Sequence, residues 1–504
     1  MKKQLLILGG LLPTLLFSQP ASKKIAFNGL TATIYADGAV EETQYSSIPG
    51  KYLNYSSQLW MGGVDGGGQL HIAAQTYRQG NVDFEPGPVS QDPNAFNKYN
   101  KIWSLRKTQV DSFRQGLFTI IPQAILTWPA HGDTAFGEPR FMAPFTDQNL
   151  NGIYEPLQGD YPCIKGDVCA YVIYNDNTGA MSLGASFNAN FELMIYGFKT
   201  QNTLNNVLFT DYKISNPGTQ TFNDIVVGNW VDLDIGNGYD DLVGTNVNTQ
   251  SYFAYNADTV DDGPTGFGVN PPAFGITQLK GYDSNIGDGK DNNWDGCIDG
   301  IRDANGNCIA ESVNNREEAL LNSTINYFNV SSPSTGNPSL SIDHFYYLLG
   351  LWMDGKKLRV ETPCGFDCLN NGDGYNVQDT GYSSRFLYPG NSFDTNGINE
   401  PSTALNWFNN PAYGSVDIRM VASSYPVDFS PNDPLHLSYA HVASRHAGTQ
   451  DRNYSELQMD IKFVRAIDTI GSVCLRNDNH ISIPELEHSL LNIFPNPAND
   501  YIVF

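Results

Sequence analysis

The stretch Asp291-Asn292-Asn293-Trp294-Asp295-Gly296-Cys297-Ile298-Asp299, with Asp288-Gly289 just ahead of it, has the residue types and spacing best suited to chemistry. With Asp291 as position 1, oxygen-bearing side chains fall at positions 1, 3, 5 and 9 (Asp291, Asn293, Asp295, Asp299) and glycine at 6. That is the ligand spacing of a calcium loop. Gly296 permits the tight reversal that aims the oxygens inward, and the carbonyl of Cys297 at position 7 would complete the ring. Asp288 adds a carboxylate at the mouth of the loop. Position 12 is Arg302, where an EF-hand carries a bidentate glutamate, so the loop departs from that type at its last ligand. A Cys297–Cys308 bridge would hold it closed and reduce the entropy lost on binding. The competing reading is a solvated acidic turn.

A second loop repeats the pattern. Asp147, Asn149 and Asn151 occupy positions 1, 3 and 5, Gly152 position 6, and Ile153 would offer its carbonyl at 7. Position 12 is Gln158, and Asp160 could replace it in a longer loop; plain Asx turns account for the same residues. A third group, Asp232, Asp234, Asp240 and Asp241, ends a strongly apolar stretch. In extended chain Asp232 and Asp234 point to one side, as two ligands or two catalytic carboxylates would; a solvated loop is the alternative. Hydrolytic and nucleotide signatures are missing: there is no His-Glu-x-x-His, no Gly-x-Ser-x-Gly and no phosphate loop. His436, His441 and His446 recur every five residues, which points successive ones apart on a helix and to opposite faces of a strand, so they cannot share one ion locally, and His441 aligns with Leu435, Leu437 and Tyr439 as a core residue. Trp60, Trp103, Trp128 and Trp230 are either sugar-stacking platforms or core aromatics.

The elements that must position these residues are strands. Phe191, Leu193 and Ile195 alternate with Glu192, Met194 and Tyr196, and Leu208, Thr210, Tyr212 and Ile214 with Val207, Phe209, Asp211 and Lys213. Phe222 to Trp230 follows as an apolar strand after the Asn216-Pro217-Gly218 turn. With no helical repeat between them, these predict a mainly β fold: antiparallel sandwich domains with long Asp/Asn/Gly loops and few short helices. Gln69 to Ala74 reads as a strand, with Gly62-Gly63 and Gly66-Gly67-Gly68 punctuating its hairpin. Helices are expected from Ser341, with Ile342, Phe345, Tyr346 and Leu349 on one face, and over Tyr454 to Arg465.

A net charge of −24 over 504 residues repels nucleic acid and anionic membranes and favours cations. Lys2-Lys3 followed by the apolar Leu5 to Phe17 reads as a secretory signal over 1–18, too short to span a bilayer; no later stretch predicts membrane insertion. In an exported chain, neighbouring cysteines predict local disulfides Cys163–Cys169, Cys297–Cys308 and Cys364–Cys368, with Cys474 left over; free or metal-bound thiols are the alternative. The pattern divides the chain into an N-terminal β region (19–165), a main sandwich (166–468) carrying the calcium loop as an insertion near 283–308, a polar linker (469–490) and a last segment (491–504).

That last segment, Leu491-Asn492-Ile493-Phe494-Pro495-Asn496-Pro497 and onward to Phe504, resembles the opening of a type A sorting domain of the type IX secretion system. Two alternating apolar strands flank the Pro495-Asn496-Pro497 turn. Family tails run several times longer and finish on basic residues, so the chain is expected to stop inside this domain. Asp288 to Gly296 likewise resembles the D-G-x-D-N-N-x-D-G metal-binding repeats of secreted bacterial proteins. The body is similar to large secreted surface proteins with such tails, through Leu59-Trp60-Met61-Gly62-Gly63, Ala73 to Arg78, Trp128 to Gly132, Gly159-Asp160-Tyr161-Pro162, Gly228 to Asp232 and Pro271-Pro272-Ala273. The resemblance implies an extracellular or outer-surface location and export by the type IX machinery, and assigns no catalytic residue. The expectation is a calcium-binding scaffold for a surface glycan or protein ligand. The alternative is a secreted polysaccharide hydrolase whose acid/base pair comes from Asp232, Asp234 or Glu155.

Overall fold

The computed structural model describes residues 19–468 apart from 78–82, 179–181, 304, 329–330, 361–373, 376–380, 390–416, 432 and 448–452. Residues 1–18, the linker and the sorting motif lie outside the described residues, as do Cys364, Cys368 and Cys474.

Period-two alternation builds two antiparallel sheets of nine strands each. The first runs Ser22–Ala26, Leu30–Tyr35, Val40–Tyr45, Tyr52–Val64, Phe222–Asp232, Ile418–Ser424, Leu321–Phe328, with Leu70–Ala73 and Val427–Phe429 attached beside this path. The second runs Asp241–Asn246, Ser251–Asn256, Ala273–Lys280, Leu435–Ser444, Val207–Ser215, Asn190–Gly197, Val168–Asn175, Glu85–Pro86, with Trp103–Arg106 also on Val168–Asn175. Strands from both sides of residue 165 share the first sheet and one core, so the N-terminal and main regions are interleaved.

The sheets face each other. Phe191, Leu193, Ile195, Leu208, Tyr212 and Ile214 of the second sheet pack with Leu59, Met61, Val227 and Val231 of the first. Polar bridges cross the same space: Asn229 Nδ2 donates to Tyr252 Oη at 2.6 Å, and Gln278 Nε2 to Ser424 Oγ at 3.0 Å. The alternate residues Met194, Tyr196, Val207 and Phe209 face the other way, into a second core closed by Leu457, Ile461 and Val464 of the helix Tyr454–Asp468. The polar ends of all four named tryptophans are tied down as buried core residues require: Trp60 to Gln75 O, Trp103 to Thr127 O, Trp128 to Pro144 O and Trp230 to Tyr327 Oη. Trp60 and Trp230 stack 6.1 Å apart on the outer face of the first sheet, beneath the helix Ser341–Leu348.

Two local expectations change. The helix Ser341–Leu348 starts from Leu340 and buries His344, Tyr347 and Leu348, leaving Ile342 and Leu349 exposed. Gly62 and Gly63 lie inside the long strand Tyr52–Val64, and the hairpin turns at 65–69. A Cβ on Gly62 would stand 2.7 Å from Ile72 Cδ1, and one on Gly63 2.7 Å from Ile225 Cγ2, so close packing requires these glycines.

Candidate metal centres

The Asp291 and Asp147 loops adopt the same conformation. Position 4 is left-handed in both, Trp294 with φ 61° and Leu150 with φ 59°, and so is the glycine at position 6, Gly296 with φ 87° and Gly152 with φ 75°. Non-glycine residues persist there because side-chain oxygens lock the turn. Asp291 Oδ2 accepts from Gly296 N at 2.9 Å, and Asp147 Oδ2 from Gly152 N at 2.6 Å. Asn293 accepts from Asp295 N, Asp295 from Cys297 N, Asn149 from Asn151 N and Asn151 from Ile153 N, all within 3.2 Å.

Beyond the turn the loops part. Asp291 and Asp295 each bring a carboxylate oxygen within 4.8 Å of the other and of one on Glu317. Glu317 precedes the strand Glu318–Ala319 and is fully buried. Its Oε2 has Asn292 N at 3.5 Å, and its Oε1 has no partner. An orphaned buried carboxylate oxygen costs free energy unless something positive meets it. Burial, with Glu311, Asp291 and Asp295 nearby, pushes the Glu317 pKa up to about 7 against the donated hydrogen bond. Three converging carboxylates form a hard oxygen site suited to a cation such as calcium, which tolerates irregular geometry.

The remaining predicted ligands do different work. Arg302 N donates to Asp295 Oδ2 at 2.7 Å and its Nε to Asp295 O at 2.8 Å, so position 12 braces position 5. Asp299 turns away and accepts from Gly289 N at 2.8 Å; Asp288 accepts from Lys290 N and pairs with Lys290 Nζ at 3.2 Å. Neither joins the cluster. Trp294 anchors the loop through Nε1 to Leu321 O at 3.0 Å, under the Arg385 guanidinium. Cys297 and Cys308 form the expected disulfide.

In the Asp147 loop, buried Asp160 spends both oxygens on backbone, accepting from Gln148 N at 2.8 Å and Glu155 N at 2.7 Å. Glu155 is held by the amides of Asn149 and Asn151. Its acids are not among the clusters that converge in the described residues. His131 is a turn residue, with Nδ1 2.7 Å from Arg140 O and Nε2 accepting from Tyr154 N at 2.9 Å. A cleft of about 390 Å3 beside this loop is lined by Asp111, Arg114, Gln115, Gln148, Gly159 and Tyr161.

Of the third group, Asp232 and Asp234 come together with an acid the sequence reading did not include, while Asp240 and Asp241 are not in that cluster. Asp232, at the end of its strand, and Asp234 converge with Asp417, just ahead of the neighbouring strand Ile418–Ser424. Tyr77 Oη donates to Asp232 Oδ2 at 2.6 Å, and Arg419 reaches Tyr77 Oη, Asp417 and Asp232. Burial raises the pKa of both Asp232 and Asp234; Arg419 opposes the rise, and Asp417 adds to it. His441 is the core histidine expected, its pKa pressed down to about 3 by burial.

One cysteine pairing is corrected. Cys169 carries a free thiol in the strand Val168–Asn175, directed into the second core, so Cys163, itself disulfide-bonded, is not paired with it. Proximity in sequence failed because a strand fixes which way Cys169 points.

Fold and sites together define an antiparallel β-sandwich whose acidic clusters are able to hold metal ions. No family model matches the chain, and no curated protein matches it.

Proposed function

We propose that the chain is a secreted or outer-surface calcium-binding β scaffold, non-catalytic, that presents a binding surface for adhesion or a glycan or protein ligand. The observation that carries this reading is the buried Glu317 carboxylate, one oxygen of which has no partner, converging with Asp291 and Asp295. Calcium there would fix the crossing between Ala273–Lys280 of the second sheet and Leu321–Phe328 of the first. Export would run through the type IX machinery acting on the segment around Pro495-Asn496-Pro497. The ligand is assigned to the cleft at Arg114 and Tyr161, whose polar lining and single aromatic ring suit a sugar or a polar peptide segment.

The alternative, a polysaccharide hydrolase, draws on the raised pKa of Asp234. It stands second because Asp232 and Asp234 crowd with Asp417 and Arg419, rather than facing each other across a sugar-sized gap. The test is binding of the full chain to arrayed glycans and surface polymers, with calcium and with chelator, beside adhesion of a deletion strain. Calcium-dependent binding weakened by Arg114→Ala or Tyr161→Ala is expected. No ligand on any array together with unchanged adhesion would overturn the scaffold reading. Sugar release abolished by Asp234→Asn would install the hydrolase.

A further inference from the structure

The junction between the strands Phe222–Asp232 and Ile418–Ser424 gathers three carboxylates around one guanidinium. The register pairs Val231 with Met420, which brings Asp232 alongside Arg419. Oxygens of Asp232, Asp234 and Asp417 lie within 4.8 Å of one another. Arg419 is shared between Asp232, Asp417 and the Tyr77 hydroxyl. Behind Asp234 stand further acids, Asp240, Asp241 and Asp261, with Lys51 the cation beside Asp261. Glu41 and Glu42 also lie near Tyr55, with Lys24 Nζ 3.7 Å from Glu42.

Two details point to a ligand rather than to a self-sufficient ion pair. Asp232 is only 1% exposed, yet its Oδ1 has no hydrogen-bond partner while Oδ2 holds Tyr77. Asp234 accepts no hydrogen bond among the described residues, although the following turn is shaped around it: a Cβ on Gly238 would stand 2.2 Å from Asp234 Oδ1. A carboxylate so enclosed and so bare of donors is an unusual feature of a folded chain. Because Asp234 is less buried than Asp232, an ion can approach from its side.

We propose that Asp232, Asp234 and Asp417 form a second divalent-cation site, of calcium character, that clamps the end of one strand to the start of its neighbour. The ion would take Asp232 Oδ1 and the free oxygens of Asp234, leaving Arg419 and Tyr77 to hold the remaining oxygens in place. The site is independent of the Asp291 loop, so either can fail without the other.

The test uses the full chain carrying Asp291→Asn and Asp295→Asn, stripped with chelator and returned to calcium. Bound calcium is counted by elemental analysis and titrated calorimetrically. One ion per chain is expected in this background, and adding Asp234→Asn and Asp417→Asn should weaken its binding on the order of tenfold or more, since affinity follows ligand charge. Melting supplies a second readout. In chelator, Asp234→Asn should melt higher than its parent because a repelling charge is gone; in calcium it should melt lower. If the background variant does not fold, the same comparison in the native loop reads two ions falling to one. Binding unchanged by the asparagine pair, no ion in the background variant, or the same melting order in calcium as in chelator would each overturn the proposal. A wild-type chain whose single ion survives the Asp291 and Asp295 changes would instead overturn the Asp291 site.

Discussion

Arg419→Ala should destabilise the fold by about 3–5 kcal/mol at neutral pH, the range for removing one partner of a buried ion pair. The guanidinium side chain is 5% exposed and Asp232 beside it 1% exposed, so water cannot replace the lost charge. Three groups lose a donor at once: Tyr77, Asp417 and Asp232. Arg419 also packs over the Tyr77 ring at 5.5 Å. Arg419→Lys should recover part of the loss, because it restores charge without the planar fork that serves several oxygens. Denaturant unfolding should show the alanine penalty shrinking toward pH 5, where Asp232 can take up a proton. A loss below about 1 kcal/mol, the scale of a surface pair, would mean that the cluster is solvated.

Metal-free protein should be more stable near pH 5 than near pH 8. Burial raises Asp176 to about 7, against hydrogen bonds from Ala189 N and Phe187 N, with Asp83 adding to the rise. Asp261 is raised to about 6 by burial, and Glu317 to about 7 by burial and its acidic neighbours. A carboxyl with its folded pKa above the unfolded value keeps its proton longer in the native state. Its contribution is therefore present below the unfolded pKa, near 4, and lost as pH rises through the folded value. Asp176, wholly buried, accounts for roughly 4 kcal/mol of this loss. The acid limb comes from groups shifted the other way. Burial works to raise Glu138, but hydrogen bonds from Tyr99, Asp133 N, Lys98 and Ser90 overcome it, so its contribution disappears as pH falls through its lowered pKa. Calcium should raise the melting temperature more at pH 8 than at pH 5, where protons compete with it for Glu317. At ten times the dissociation constant, linkage supplies roughly 1.4 kcal/mol per site, a shift of a few degrees in a chain this large. Melting curves in chelator that improve steadily from pH 5 to pH 8 would refute the assignment of these acids.

Much of the sheet architecture was legible because alternation is a local property. Phe191 to Tyr196 and Val207 to Ile214 sort their side chains between the two cores as the sequence pattern predicts. Gly62 and Gly63 read as turn punctuation because nothing in their neighbourhood announces that Ile72, Leu348 and Ile225 press on them from distant segments. The helix Lys107–Arg114 is too polar to stand out, with Val110 its buried residue. Asp291 and Asp295 were found by spacing, whereas Glu317 and Asp417 were not. Each comes from a separate segment brought in by strand order, and an isolated acid before a strand carries no signal of its destination. Arg302 at position 12 offers no carboxylate, and the fold brings one, Glu317, to Asp291 and Asp295 from another segment.

Calorimetric titration of chelator-stripped protein with calcium at neutral pH, wild type beside Glu317→Gln, tests the Asp291 centre most directly. Wild type should show a binding event at a dissociation constant of ~10⁻⁴ to 10⁻³ M, typical of extracellular calcium modules, with magnesium giving little heat because it sheds its water reluctantly. Glu317→Gln keeps the size and removes the charge, so that event should weaken on the order of tenfold or more while the fold survives. Equal affinity in the two proteins, or no calcium binding by metal-free wild type, would contradict the assignment and leave Asp291 and Asp295 as residues of an ordinary solvated turn.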